Sequence, residues 1–264
     1  MKYIEVGKMW DENAEVWTFL ARKGYDIFRN LVNSPAFFNI LPDIKGKRGL
    51  DLGCGEGYNT KLAAGKGAKI YAIDISKTFI KLASEENRNT DTGIDYLIAS
   101  GNFLPFKDDF FDFIIATMSI MNMPDQEIVI AECFRVLKPE GFLQFSISHP
   151  CFQTPLYSWV YDNEGNKIGV VCGNYFDQPE VRIEEWTFGA APENLRKSLR
   201  KFRIPVFKRT LSAWLNMIIE SGFILEYFCE PHADDETSVK YPEVADSRII
   251  TNSIIIRCRK PWRI

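Results

Sequence analysis

The chain has 264 residues, 46% hydrophobic and 25% charged, with a formal net charge of −3 at pH 7. That length holds one large domain, or a domain with a cap, around a substantial core. The longest apolar stretches, Phe111 to Met118 and Ile249 to Ile256, fall short of the ~20 residues that span a membrane, and the overall charge lacks the basic footprint of a general nucleic-acid binder.

The first residues, Met1 to Glu5, contain no apolar run leading to a small-residue cleavage site, so a soluble cytoplasmic protein is expected. Six cysteines without a C-x-x-C pair suit reduced thiols, and His149 and His232 are too few for a histidine-rich metal centre.

Residues 1–45 are expected to be helical, with Trp10, Ala14, Trp17 and Ala21 at helical spacing and Pro35 and Pro42 breaking the pattern. From Arg48 short apolar runs alternate with amphipathic stretches, the signature of β-α-β units. Strands are expected near 48–53, 69–74, 94–99, 111–118 and 142–148. Between the last two a helix is predicted, capped by Asp125, with Ile130, Phe134 and Leu137 on one face and Pro139 and Gly141 stopping it. The core therefore runs over 46–149. From 150 to 207 the alternation fails while aromatic residues accumulate, among them Phe152, Tyr157, Trp186 and Phe188. A structureless loop of that length is rare, so a folded insertion capping the substrate side is expected. Residues 208–264 supply a helix around Trp214 and two more strands, near 223–229 and 249–258.

The informative segment is Gly49-Leu50-Asp51-Leu52-Gly53-Cys54-Gly55-Glu56-Gly57-Tyr58-Asn59-Thr60, a strand entering three glycines at alternate positions and then a helix. A dinucleotide fingerprint, G-x-G-x-x-G, would need glycine where Tyr58 stands, which disfavours pyrophosphate. The second strand ends in Asp74, placed to accept hydrogen bonds from ribose hydroxyls. A ribose without a pyrophosphate fits both observations.

These residues resemble the class I S-adenosylmethionine-dependent methyltransferases. Asp51, Gly53, Gly55, Gly57 and Asp74 match the first motif and the end of the second strand. Leu104-Pro105-Phe106, Phe111-Asp112 and Arg135-Val136-Leu137-Lys138-Pro139-Glu140-Gly141 continue the likeness, and Trp10-Asp11, the glycine segment and His149-Pro150-Cys151-Phe152 look like a small-molecule branch of the methyltransferase type 11 kind. The resemblance implies an α/β, Rossmann-like class I methyltransferase fold. This is a seven-stranded, mostly parallel sheet flanked by helices, with N-terminal helices covering the cofactor site and a cap insertion. It implies S-adenosyl-L-methionine as cofactor, S-adenosyl-L-homocysteine as product and a small-molecule acceptor, with the protein a monomer or homodimer.

The resemblance also assigns roles. Gly53, Cys54, Gly55 and Gly57 form the floor under the methionine part of the cofactor, and Asp51 orients that turn. Asp74 holds the ribose and Ile75 packs on adenine. The acid that usually pairs with the adenine amino group is replaced by Ser100, with Gly101 and Asn102 beside it. Met118 and Ser119 flank the reactive methyl. Arg29 is the candidate cation for the cofactor carboxylate, and Trp10 and Trp17 are candidate aromatic walls. If the acceptor must lose a proton, His149, leaving the fifth strand, is the candidate base; the other reading is a structural histidine beside Pro150. Two alternatives stand beside this one: a non-catalytic module that binds the cofactor, and an RNA methyltransferase using the basic residues between Leu195 and Arg209.

Overall fold

The computed structural model describes residues 1–88, 92–177 and 179–262. Helix α1 spans Tyr3–Arg22, and the Glu5 carboxylate accepts from the Lys2 backbone N–H at its start (2.7 Å). A π-helical turn, Arg29–Asn33, leads directly into α2, Ser34–Asn39. Pro35 stands where the π-helical turn passes into α2, in a run that stays helical from Ile27 to Asn39, so it does not break the helix there.

The core follows as β1 (Arg48–Leu52), α3 (Tyr58–Gly65), β2 (Lys69–Asp74), α4 (Lys77–Asn87), β3 (Ile94–Ile98), β4 (Phe111–Thr117), α5 (Gln126–Val136) and β5 (Leu137–Ser148). Two details differ from expectation. Asp125 precedes α5 with φ +49° and its side chain forms no capping bond. Leu137 belongs to β5 and pairs with Phe111, so the strand begins five residues before Phe142 and the helix stops at Val136.

Residues 150–207 fold into two hairpins. The first joins β6 (Leu156–Tyr161) to β7 (Lys167–Gly173); the second joins β8 (Arg182–Trp186) to β9 (Phe202–Val206), with α6 (Glu193–Ser198) between its strands. The chain closes with α7 (Leu211–Glu220), β10 (Ile224–Cys229), α8 (Asp235–Lys240) and β11 (Ser253–Arg259). A 3-10 segment, Pro242–Arg248, runs up to Ile249, which is why the last strand starts later than the apolar run does.

The main sheet has seven strands in the order β10-β11-β5-β4-β1-β2-β3, and only β11 runs against its neighbours. Fully buried strands read as continuous apolar runs; Ile114, Ile115 and Ala116 of β4 expose nothing. Chain order reverses between β1 and β4, and the carboxyl ends of these two strands open the crevice where ligands of such sheets bind. Among the described residues no helix is long and apolar enough to cross a membrane.

Candidate functional site

The crevice at that switch point is a cavity of about 640 Å³. Its floor is the turn after β1. Gly53 has φ +77°, and a Cβ there would lie 2.5 Å from the Cβ of Ser119, so only glycine fits. The N–H groups of Gly53 and Cys54 both donate to the Ile73 carbonyl (2.9 Å each), which stitches the turn to β2. At Gly55, φ is +54° and a Cβ would meet nothing within 4 Å, so bare backbone faces open space. Gly57 begins α3 behind the turn and does not line the cavity.

Two acids support this floor. The Asp74 carboxylate lines the cavity, accepting from Gly55 N–H through Oδ2 and from Ser76 N–H through Oδ1, both at 2.9 Å. Desolvation pushes its carboxyl up to about 6 despite these bonds. Asp51 lies wholly buried beneath the turn and accepts from the Thr60 hydroxyl (2.6 Å), tying β1 to α3. Its Oδ1 has no hydrogen-bond partner, and burial raises the carboxyl to about 7.

Ile75, Ser100, Gly101, Asn102, Met118 and Ser119 all line the cavity. The Ser100 hydroxyl donates to Asn102 Oδ1 (3.1 Å), and the Asn102 amide nitrogen donates to the Pro124 carbonyl (2.9 Å). The amide is thus committed to holding the loop. Met118 takes φ +52°, unusual for a side-chain-bearing residue, while Ser119 donates to the Leu52 carbonyl (2.6 Å) and locks the β4 loop against the glycine turn.

Trp17 and Arg29 also reach the cavity. Arg29 is not an unpaired cation: Nη1 meets Glu56 Oε1 at 2.6 Å, Nε lies 3.5 Å from Asp26 Oδ2, and the guanidinium covers the Tyr58 ring at 4.0 Å. Its charge is already matched, so the expectation of a free cation for the cofactor carboxylate is not met by this geometry.

His149 departs further. It is buried and absent from the cavity wall, with Nδ1 accepting from the Cys151 N–H (3.3 Å) and Nε2 facing Glu230 Oε1 at 3.0 Å. The accepting Nδ1 fixes the proton on Nε2, which therefore donates to Glu230. Desolvation keeps the ring below its usual value although Glu230 opposes this. With both nitrogens engaged and no place on the cavity wall, the histidine has the geometry of the structural reading.

Sequence reasoning missed Glu56, Asn59 and Glu184, all on the cavity wall. Glu56 and Asn59 were in plain view within the glycine segment, and the burial of Glu56 (4% exposed) is what makes it significant. Asn59 accepts from Ser34 (2.7 Å) and donates to Thr117 (2.8 Å), joining α2, α3 and β4.

A glycine-cornered turn after β1, an acid closing β2 and a cavity over the switch point define a Rossmann-like protein with a nucleoside site lacking a pyrophosphate cradle. Residues 50–145 match the family model described as a methyltransferase domain. A ubiquinone/menaquinone biosynthesis C-methyltransferase from Francisella tularensis subsp. novicida is 35% identical over 140 residues, 51% of this chain and 55% of the relative. A ubiquinone biosynthesis O-methyltransferase from Thiobacillus denitrificans is 32% identical over 104 residues, 39% of this chain and 45% of the relative. The chain thus spans about half the length of the curated relatives it matches. A crystal structure of an S-adenosylmethionine dependent methyltransferase from Mesorhizobium loti superposes with a TM-score of 0.69 at 26% identity, covering 85% of this chain and 96% of that one. Residues 50–145 thus carry a methyltransferase domain, and the chain shares the fold of a class I S-adenosylmethionine-dependent methyltransferase.

Proposed function

We propose that this chain transfers the methyl group of S-adenosylmethionine to a small molecule enclosed between α1 and the second hairpin, in the cytoplasm, as a monomer or homodimer. The carrying observation is one continuous cavity, walled by the glycine turn and Asp74 at one end and by Trp186, Phe188 and Ile204 of the insertion at the other. In this reading residues 1–45 roof the cofactor and 150–207 cap the acceptor.

The residues fit the cofactor. Open space beside Gly55 admits the methionine portion against bare backbone, each Asp74 oxygen keeps a lone pair for a ribose hydroxyl, and Ile75 offers an apolar surface to adenine. When bound, the cofactor supplies a methyl group on a cationic sulfur, already a strong electrophile. The protein's share is alignment and exclusion of water. No base is required of His149.

The basic stretch supports a small acceptor more than RNA. Five of its side chains are matched by acids: Lys197 with Glu193, Arg200 with Glu12, Arg203 with Glu185, Lys208 with Glu184 and Arg209 with Glu127. A phosphate backbone would have to displace these pairs.

Thermal unfolding with S-adenosylmethionine, S-adenosylhomocysteine and NAD tests the reading. At about a hundred times its dissociation constant a ligand stabilises the fold by about 2.7 kcal/mol, or roughly 5–10 °C for a chain of this size. Both adenosyl compounds are expected to give that shift and NAD none. A shift with NAD alone refutes the proposal.

A further inference from the structure

The second hairpin carries one residue out of keeping with its surroundings. In its antiparallel register Glu184 stands opposite Ile204 and Trp186 opposite Phe202. Side chains two apart on a strand share a face, and Glu184, Trp186, Ile204 and Val206 all line the cavity. Phe202, Ile204 and Val206 are buried. Glu184 is therefore a carboxylate on an apolar inner face, whereas its neighbour Glu185, on the outer face, makes an exposed pair with Arg203.

A carboxylate in that position costs desolvation unless something repays it. Lys208 does so in part: its Nζ lies 3.1 Å from Glu184 Oε1 and donates to the Gln153 carbonyl (2.9 Å). The lysine is only 9% exposed and lines a separate small pocket, so it anchors the carboxylate from behind and not from the cavity. No further partner for Glu184 occurs among the described residues.

Beside this carboxylate, Trp17 packs against Trp186 (5.6 Å between centroids) and Phe188 (4.9 Å). Aromatic faces attract cations. Among the described residues the only lysine or arginine on the cavity wall is Arg29, paired with Glu56 at the glycine-turn end. The acceptor end therefore offers a carboxylate, matched by Lys208 only from behind, and aromatic faces, with no cation on the wall for an anionic substrate.

We propose that the acceptor is an amine on a flat or apolar body, its nitrogen held by Glu184 next to the Trp17 and Trp186 rings. This rests on the methyltransferase reading of the same cavity. The ammonium form first gives one proton to water. The nitrogen lone pair of the free amine then bonds to the methyl carbon, and the carbon–sulfur bond breaks with its electron pair returning to sulfur. Positive charge moves from sulfur to nitrogen. Glu184 accepts a hydrogen bond from the remaining N–H and stabilises the charge arriving there, whereas an anionic acceptor would face the Glu184 carboxylate with no donor to offer it.

The test compares 2-phenylethylamine, 2-phenylethanol and phenylacetate binding to protein saturated with S-adenosylhomocysteine, read by calorimetry. The amine is expected to bind at least about tenfold more tightly than the alcohol, with phenylacetate weakest. Glu184→Gln is expected to bring amine and alcohol within about twofold while affinity for S-adenosylhomocysteine is unchanged. Lys208→Gln, which leaves Glu184 in place, keeps the preference, an outcome that a purely structural ion pair does not give. Glu184→Gln combined with Lys208→Gln removes both charges together, so a fold weakened by an unpaired lysine is recovered and the preference still disappears. Equal binding of amine and alcohol by the native chain, tighter binding of phenylacetate, binding of none of the three, or a preference that survives Glu184→Gln overturns the proposal. Failure of the native protein to bind S-adenosylhomocysteine refutes instead the methyltransferase reading beneath it.

Discussion

Asp51 and Asp74, one under the glycine turn and one beside it, both have carboxyls raised by desolvation, to about 7 and about 6. A carboxyl that binds its proton more tightly folded than unfolded favours the folded state below its unfolded value, and that contribution is lost as pH rises through the folded value. The ligand-free protein is therefore expected to lose stability from these two groups between about pH 4 and 7, a tenfold difference in proton affinity between the folded and unfolded chain being worth about 1.4 kcal/mol. Asp51→Asn keeps an acceptor for Thr60 and removes the ionisation, so it should raise the melting temperature near pH 8 by several degrees and change it little near pH 5. Cofactor binding has the opposite slope, because ribose hydroxyls donate to an ionised Asp74. Stabilisation by S-adenosylmethionine should grow from about pH 5 to 7, and Asp74→Ala should weaken binding by about 10–100-fold in calorimetry. A cofactor affinity that is flat across this range would remove Asp74 from the ribose site.

At the scale of elements, one carboxylate of α1 reaches the start of α4. Asp11 accepts from the Ser76 hydroxyl (2.6 Å) and the Thr78 N–H (3.0 Å), so the first turn of α4 is capped from a neighbouring helix as well as by Ser76. Burial raises the Asp11 carboxyl, but these bonds and Lys77 outweigh it and leave the group below its usual value. Gly7 packs against Ile75 on the same helix, so the latch and the proposed adenine wall move together. Asp11→Ala should cost about 1 kcal/mol of stability and speed cofactor release in stopped-flow measurements; an unchanged release rate would mean that α1 does not gate the site. The same scale decides what could be read in advance. The strands β1, β2 and β4 were legible to within a residue because buried runs and the glycine turn bound them. The hairpins of 150–207 were not, since β6 and β7 are largely exposed and carry no clean alternation. The ion pairs of Arg29 and His149 were not legible for another reason: their partners Glu56 and Glu230 lie 27 and 81 residues away, and pairing at that distance leaves no local pattern.

Across the whole molecule, the cavity is roofed by two segments nearly two hundred residues apart in the chain. Asn13 joins them through two reciprocal bonds, its amide donating to the Arg203 carbonyl (2.9 Å) and its oxygen accepting from the Arg203 N–H (3.1 Å). Trp17 completes the joint, touching Trp186, Phe188 and Phe202 of the second hairpin and Trp10 of its own helix, with centroids 4.8–5.7 Å apart. The N-terminal helix and the second hairpin are thereby tied to each other, with Trp17 both on the cavity wall and in the joint. Trp17→Ala deletes four ring contacts from a half-buried position, so a loss of about 3 kcal/mol is expected, at the low end for such truncations. Because the glycine turn, Asp74 and Ile75 are untouched, affinity for S-adenosylmethionine should fall much less than acceptor turnover, which depends on a closed, dry cavity. Trp17→Phe, which keeps a ring against Phe188 and Phe202, should recover most of the stability. If Trp17→Ala instead abolishes cofactor binding while the fold survives, Trp17 contacts the cofactor directly, and the roof belongs to the first substrate and not to the second.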